Sequence, residues 1–272
     1  MIVKIVTVKT FSILIILLML SACETSSTSR TVSSNSGSRI TSSGDFNRAK
    51  AAKIRLGAGL QYLQAGSLKN AKRHLDKALE FGENSGAIHF ALAYYYELVK
   101  EFPKAKKSYK KALKLDSKNP DFLNGYASYL CGQKDFKQAD EYFQKAISTP
   151  VYPEVASAFL NAGVCAKRNN QFDIASEYFR KALNRNSKLS LALLEMAKLQ
   201  FRDEKYERSF AYLKRFESMI KNPRADALWL GLRVSFFQKD RDAKASYANK
   251  LEHLFPDSNE TAEYLDNKSQ WM

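Results

Sequence analysis

A small residue recurs along this chain at nearly constant spacing, and this repeat restricts the possible folds more than any other feature of the sequence. The spacings are 34, 34, 36, 34 and 34 residues, and the members are Ala71, Ala105, Ala139, Ala175, Ser209 and Ala243. Another small residue lies twelve positions before each member, and a large apolar residue lies four positions after it. This pattern predicts pairs of antiparallel helices, in which small residues allow close crossing and large residues fill the space between repeats.

A period of 34 residues is that of the tetratricopeptide repeat. We therefore predict an all-α fold, a tetratricopeptide (TPR) solenoid of six helix-turn-helix repeats with a C-terminal capping helix. The predicted repeats are 52–85, 86–119, 120–155, 156–189, 190–223 and 224–257.

Three short patterns predict where helices begin. Asn119-Pro120 and Asn222-Pro223 each place a capping residue before a proline, which fits the first turn of a helix. Asp257 and Glu260 have the spacing of a capping box and predict the start of the capping helix at 257–265.

The composition excludes several classes of protein. Of the 272 residues, 45% are hydrophobic and 26% are charged, so neither wholesale disorder nor a multi-span membrane protein is expected. The formal net charge of +15 favours either nucleic acid or an anionic membrane surface as a partner. Which of these two partners is available depends on the cellular compartment of the protein.

The first residues predict export. Lys4 and Lys9 form a positively charged region before an apolar run, Phe11 to Leu20. This run is far shorter than the roughly 20 residues of a membrane-spanning helix. The run ends in Leu20-Ser21-Ala22-Cys23, which resembles the lipobox of bacterial lipoproteins. The resemblance implies that 1–22 is a lipoprotein signal peptide and that Cys23 is lipidated, whereas the alternative is a plain secretory peptide followed by a free cysteine.

The lipobox resemblance also implies a location and a partner. Position 24 is Glu rather than the Asp that marks inner-membrane retention in many lipoproteins, which implies a lipid anchor at the periplasmic face of the outer membrane. Acyl chains on Cys23 would contact outer-membrane lipid. Nucleic acid is therefore not expected as a partner.

A polar segment separates Cys23 from the repeats. Thirteen of the twenty residues from Glu24 to Ser43 are Ser or Thr. Such a composition cannot bury enough apolar surface to fold, and it predicts a flexible tether over 23–45 with a reach of roughly 25 Å. The region 46–272 is then the TPR domain.

Two cysteines, Cys131 and Cys165, remain in the predicted repeats. They lie on the first helices of repeats 3 and 4, two positions apart in the repeat frame, which rotates one side chain by about 200° relative to the other. The two thiols can therefore face each other, and we predict a disulfide in the oxidising periplasm. The alternative is a pair of small buried thiols.

The first helices of a TPR array line its concave face, which usually receives a partner segment. In repeats 1 and 2 this face is more apolar than a solvated groove requires, which predicts a partner-binding site formed by Leu56, Leu60, Leu63, Phe90 and Tyr94. The alternative is that these side chains pack within the solenoid.

Basic residues suggest two further surfaces. Lys167, Lys198 and Arg202 lie on the same face in repeats 4 and 5 and would suit an acidic contact. Eight lysines lie between Lys100 and Lys118, on the predicted outer side, either as a solvated face or as a contact with anionic lipid or lipopolysaccharide.

No catalytic constellation is recognisable in the sequence. His74, His89 and His253 are too scattered for a helical metal pair, and no phosphate-binding glycine loop follows a strand. We therefore expect no enzyme activity, no metal, no cofactor and no small-molecule substrate.

Several stretches that the generic repeat does not require resemble the type IV pilus biogenesis lipoproteins PilF and PilW. They are Asn124-Gly125-Tyr126-Ala127, Pro150-Val151-Tyr152-Pro153, Asn161-Ala162-Gly163-Val164-Cys165 and Ala227-Leu228-Trp229-Leu230-Gly231-Leu232-Arg233. The order Gly-Tyr-Ala at 125–127 departs from the family, which tends to Tyr-Gly after Asn. The resemblance implies a pilotin, which binds the pilus secretin subunit and promotes its assembly in the outer membrane.

Two alternatives stay open. A TPR lipoprotein of outer-membrane β-barrel assembly would share the anchor and the fold, but would not be expected to carry these signatures. A cell-wall-associated enzyme is disfavoured because a catalytic constellation is missing.

Overall fold

The structure is a computed structural model that describes residues 47–271. The predicted signal peptide, Cys23 and the predicted tether lie outside the described residues. Fourteen α-helices occur between 47 and 271, and the first twelve form six consecutive pairs. The pairs are α1 Arg48–Gln64 with α2 Leu68–Phe81, α3 Gly86–Leu98 with α4 Phe102–Leu115, α5 Pro120–Gly132 with α6 Phe136–Ile147, α7 Val155–Arg168 with α8 Phe172–Arg185, α9 Ser190–Arg202 with α10 Tyr206–Glu217, and α11 Ala225–Phe237 with α12 Arg241–Leu254. The shorter helices α13 Asn259–Asp266 and α14 Lys268–Trp271 follow.

The helix pairs confirm the predicted TPR fold and its frame. Helices α3, α5 and α9 begin at the first residue of their predicted repeats, and α7 and α11 begin within one residue of it. Helix α1 begins four residues before the predicted first repeat, because the side chain of Asn47 accepts a hydrogen bond from the backbone N–H of Lys50 and caps the helix there.

The recurring small residues lie where the two helices of a pair cross. Five of the six are fully buried, and Ala243 in the last repeat is partly exposed. The glycine twelve positions earlier is equally constrained in repeat 4, since a Cβ atom on Gly163 would lie 2.6 Å from the ring of Phe179. Close helix crossing therefore explains the sequence period.

Of the two helix starts predicted from an Asn-Pro pair, one is confirmed and one is wrong. The side chain of Asn119 accepts hydrogen bonds from two backbone N–H groups of α5, as predicted. The prediction from Asn222-Pro223 is wrong, because α11 begins at Ala225 and Arg224 is its capping residue.

The predicted capping helix is present as α13, but the expected capping box is wrong. Helix α13 begins at Asn259, and the hydroxyl of Ser258 accepts from the backbone N–H of Thr261 at 3.2 Å. The Thr261 hydroxyl also donates to the carbonyl of Phe255 at 2.7 Å, which ties α13 to the end of α12.

The helices form two layers. The first helix of a repeat contacts the first helix of the next, as in the pairs α1 with α3, α5 with α7, and α9 with α11. The second helices form the other layer and each packs against its own partner and the following first helix. Among the described residues, no helix combines the length and the apolar character needed to cross a membrane.

Candidate partner-binding groove

The five predicted groove residues divide into exposed and buried side chains. Leu60 on α1 and Tyr94 on α3 are 42% and 46% exposed. Leu56 and Phe90 are half-buried and pack against the cores of their repeats. Leu63 is buried, with 6% exposed, so its prediction as a surface residue is wrong.

Leu63 is buried because two neighbouring helices cover it. It belongs to the core cluster of the first two repeats, together with Leu75 of α2 and Leu92 of α3. A position that faces outward on an isolated helix is closed here by the next repeat. Leu63 therefore stabilises the join between repeats 1 and 2 rather than contacting a partner.

Phe90 forms part of an aromatic row that supports the groove. Its ring stacks on Phe122 with a centroid distance of 5.0 Å and meets Tyr109 edge-on at 5.7 Å. Tyr109 continues the row to Tyr126 at 5.7 Å. Such ring pairs stabilise the packing of α3 against α4 and α5 below the exposed side chains of α3.

Exposed apolar side chains lie on the neighbouring first helices of repeats 1 and 2. Leu60 and Tyr94 occupy the same repeat position on helices that contact each other, and Leu98 lies one helical turn beyond Tyr94 with 42% of its side chain exposed. We call Leu60, Tyr94 and Leu98 the apolar stripe. The sequence prediction missed Leu98, although its four-residue spacing from Tyr94 was a usable signal.

The stripe ends at the third repeat. The position that corresponds to Leu60 and Tyr94 is Ser128 there, and its hydroxyl donates to the carbonyl of Asn124 at 3.0 Å. The stripe is therefore limited to the first two repeats.

A half-buried carboxylate, Glu97, lies next to Leu98 on α3. The hydroxyl of Tyr109 donates to Glu97 Oε2 at 2.9 Å. Burial raises the pKa of Glu97, although this hydrogen bond acts in the opposite direction. Burial, together with the charge of Glu97, also raises the pKa of Tyr109. This pair links α3 to α4 beneath the apolar stripe.

The predicted basic face of repeats 4 and 5 is already paired within the protein. Lys167 bonds to Glu195 of the next repeat, and Lys198 Nζ lies 2.7 Å from Asp226 Oδ2. These contacts join neighbouring first helices and neutralise most of the positive charge.

Arg202 completes this set and is paired as well. Its guanidinium lies 2.5 Å from Asp203 Oδ1 and stacks on Phe172 at 4.0 Å. The expectation that these three residues suit an acidic contact with a partner is therefore wrong, because carboxylates of the following repeat pair with both lysines and the adjacent Asp203 pairs with Arg202.

Cys131 and Cys165 lie together between repeats 3 and 4. Their Cα atoms are 5.7 Å apart, a distance that a disulfide spans, and the two sulfur atoms are joined as a pair. Both side chains are buried, with 4% and 5% exposed. Their relative rotation agrees with the two-position offset in the repeat frame.

A second groove lies in the other layer, between α6 and α8. Its volume is about 680 Å³, and its walls carry Asp140, Glu141 and Glu177 together with Ile174. The hydroxyl of Tyr178 donates to Asp140 at 2.8 Å across it. This groove is more polar than the apolar stripe, and Ile174 is its exposed aliphatic side chain, with 44% accessible.

Comparison with known proteins agrees with the repeat architecture. The tetratricopeptide repeat family matches residues 156–189, and the YpiA-like, C-terminal tetratricopeptide repeats match residues 87–150.

A longer match covers most of the chain. The type IV pilus assembly protein PilF of Pseudomonas aeruginosa is 35% identical over 222 residues, which is 82% of this chain and 87% of that protein. This chain belongs to the PilF family of type IV pilus biogenesis proteins.

Solved structures of the family support the assignment. The structure of Pseudomonas aeruginosa PilF superimposes with a TM-score of 0.75 at 34% identity, over 81% of this chain and 99% of that one. The structure of PilW, a widely conserved type IV pilus biogenesis factor, gives a TM-score of 0.72 at 25% identity over 79% of this chain and 99% of that one. The apolar stripe therefore belongs to a PilF-family TPR scaffold.

Proposed function

We propose that this protein is an outer-membrane pilotin lipoprotein, which binds the secretin subunit of the type IV pilus and promotes its localisation and assembly in the outer membrane. The observation that carries the proposal is the apolar stripe on α1 and α3 of a PilF-family solenoid. The protein acts as a scaffold without catalysis, and its partners are the secretin subunit and outer-membrane lipid.

The stripe has the properties of a docking site for a peptide segment. Leu60, Tyr94 and Leu98 each leave two-fifths or more of their surface in water while their helices are fixed by the core below. Covering such side chains releases water at little conformational cost. We expect a few apolar residues of the secretin segment to supply most of the binding free energy.

The charge of α1 suggests the flanking chemistry of that segment. This helix carries Arg48, Lys50, Lys53 and Arg55 and no acidic residue, and all four are exposed. Carboxylates beside the apolar residues of the partner would therefore be attracted to α1 and would speed association. The segment that we expect is apolar with acidic neighbours.

The anchor determines where the groove acts. Lipidation at Cys23 would hold the protein at the periplasmic face of the outer membrane, and the 23 residues between Cys23 and Asn47 would let the solenoid sample the space near the bilayer. A secretin segment held in the groove would then have a high effective concentration beside the membrane that it enters.

Secretin assembly in cells tests the proposal. Leu60→Glu places a charge in the stripe, and Ile174→Glu is the matched control at similar exposure in the groove between α6 and α8. We expect secretin multimers in the outer-membrane fraction to fall at least tenfold with Leu60→Glu and to stay near wild type with Ile174→Glu. Circular dichroism melting of both variants verifies that they fold.

Two results would overturn the assignment. Normal multimers with a folded Leu60→Glu variant would exclude the stripe as the secretin site, and a loss only with Ile174→Glu would place binding in the other groove. Copurification with the β-barrel assembly machinery in place of the secretin would favour the alternative scaffold role.

A further inference from the structure

Helix α4 carries an unusual concentration of one charge. It contains six lysines and no acidic residue. All six are exposed, since the buried side of the helix consists of Ala105, Tyr109 and Ala112. We call these six residues the lysine face: Lys104, Lys106, Lys107, Lys110, Lys111 and Lys114.

The lysine face is largely without internal counter-charge. Lys104 lies 3.3 Å from Glu101. The other five form no ion pair with any residue in the described range 47–271. Like charges three and four positions apart on a helix repel and destabilise it. An external anionic surface would remove this repulsion.

The other helices of the same layer differ from α4. The second helices of the remaining five repeats, α2, α6, α8, α10 and α12, carry net charges between 0 and +2, because acidic residues accompany the basic ones. The charge of α4 therefore does not follow from the repeat or from the basic composition of the whole chain.

The position of α4 leaves the proposed partner groove open. The lysine face belongs to the layer of second helices, whereas the apolar stripe lies on the first helices α1 and α3. Phe102 at the start of α4 is 37% exposed and lies one helical turn before Lys106. An aromatic ring next to a basic helix is typical of surfaces that lie on a membrane interface.

We propose that the lysine face docks onto anionic phospholipid headgroups of the membrane that carries the lipid anchor. This orients the solenoid with the second repeat against the bilayer and the groove directed away from it. The inference rests on the proposed anchor at Cys23, because the 23 residues between Cys23 and Asn47 limit the separation from the bilayer to at most about 80 Å. Helix α4 belongs to the second repeat, so only the first repeat and α3 separate it in sequence from Asn47.

The proposed contact is electrostatic. Its affinity should therefore depend on the salt concentration and on the number of lysines that face the lipid. Each lysine near an anionic surface strengthens binding by about fivefold, and screening beyond a Debye length removes the effect. Binding should therefore require anionic lipid and should weaken steeply as salt rises.

Vesicle binding of the folded part tests the inference. Residues 47–272 form one compact unit and can be studied without the anchor. Co-sedimentation compares vesicles of phosphatidylglycerol and phosphatidylcholine with vesicles of phosphatidylcholine alone, at low and high salt. We expect binding only to the anionic vesicles, with loss at high salt.

Matched variants separate the lysine face from net charge. Lys107→Gln, Lys110→Gln, Lys111→Gln and Lys114→Gln together remove four charges from α4. The control removes four exposed charges elsewhere by Lys137→Gln, Lys188→Gln, Lys221→Gln and Lys250→Gln. We expect the α4 variant to bind anionic vesicles at least twentyfold more weakly and the control to change less than fivefold.

Three results would overturn the proposed docking of the lysine face onto anionic lipid. Absence of wild-type binding to anionic vesicles, equal loss in both variants, or capture of an acidic peptide or nucleic acid in place of vesicles would contradict it. The secretin measurement separates this failure from failure of the proposed function, since the α4 variant should still bind secretin through the apolar stripe.

Discussion

At the scale of single residues, packing distances decide which positions accept a change. Gly57 and Gly59 lie two residues apart in α1, yet they face different surroundings. A Cβ atom on Gly59 would lie 2.6 Å from Leu75 Cδ2, whereas no heavy atom lies within 4 Å of a Cβ atom on Gly57.

These two glycines give opposite predictions. Gly59→Ala should lower the free energy of unfolding by about 1–3 kcal/mol, because the branched end of buried Leu75 has no space to move. Gly57→Ala should raise it by up to about 1 kcal/mol through helix propensity. Urea denaturation of both variants measures the difference, and equal effects would contradict the close crossing of α1 and α2.

Asp226 provides a prediction about pH. Burial tends to raise the pKa of this carboxyl, but hydrogen bonds from Arg224 and Lys198 outweigh it and hold the pKa below its ordinary value. Because the pKa of Asp226 is lower in the folded protein than in the unfolded chain, its ionised carboxylate stabilises the fold at pH values above the pKa of the unfolded chain. This stabilisation is lost as the pH falls through the pKa of the folded protein.

Asp226→Asn should therefore reduce stability by about 1 kcal/mol at pH 7 and by much less near pH 2. Denaturation curves between these two pH values measure the change. Glu83→Gln is the control, since the exposed carboxylate of Glu83 makes no ion pair among residues 47–271. A constant difference for Asp226→Asn at all pH values would contradict the ion pairing.

At the scale of helices, the sequence predicted the positions of the helices better than the exposure and pairing of their side chains. The repeat frame follows from the crossing of two helices, which needs a small residue at fixed spacing whatever lies around it. The exposure of Leu60 and Leu63 could not be predicted in this way, because Leu63 is covered by α2 and α3 together. The pairing of Lys198 with Asp226 was missed for the same reason, as the two residues come from different repeats.

Helix ends were predictable where one side chain decides them. Asn119 caps α5 as expected, because its own amide oxygen accepts the free N–H groups. At α13 the sequence predicted a cap at Asp257, but Ser258 caps the helix, and the Thr261 hydroxyl bonds to the carbonyl of Phe255 at the end of α12. That choice depends on a tertiary contact.

The cysteine pair joins α5 and α7 and leads to a prediction for the elements that it connects. Cys131 and Cys165 should be oxidised in periplasmic material, and replacing both by Ser should lower the free energy of unfolding by about 3–4 kcal/mol in the chain-entropy model. Mass spectrometry under non-reducing conditions and urea denaturation measure the two effects. Two free thiols in periplasmic protein would contradict the prediction.

At the scale of the whole molecule, the proposed function separates attachment from recognition. Cys23 would supply the membrane attachment, and the repeats would supply the groove. Cys23→Ser should move the protein out of the outer-membrane fraction and leave its melting temperature unchanged, because the core of residues 47–271 does not involve Cys23. Wild-type levels of the variant in the outer-membrane fraction would contradict lipidation at this residue.

The central claim is that the apolar stripe binds the secretin subunit, and a titration of purified secretin subunit against residues 47–272 tests it most directly. Isothermal calorimetry should show saturable binding by the wild type, at least tenfold weaker binding by Leu60→Glu, and unchanged binding by Ile174→Glu. Equal affinity for the wild type and a folded Leu60→Glu variant would contradict the account.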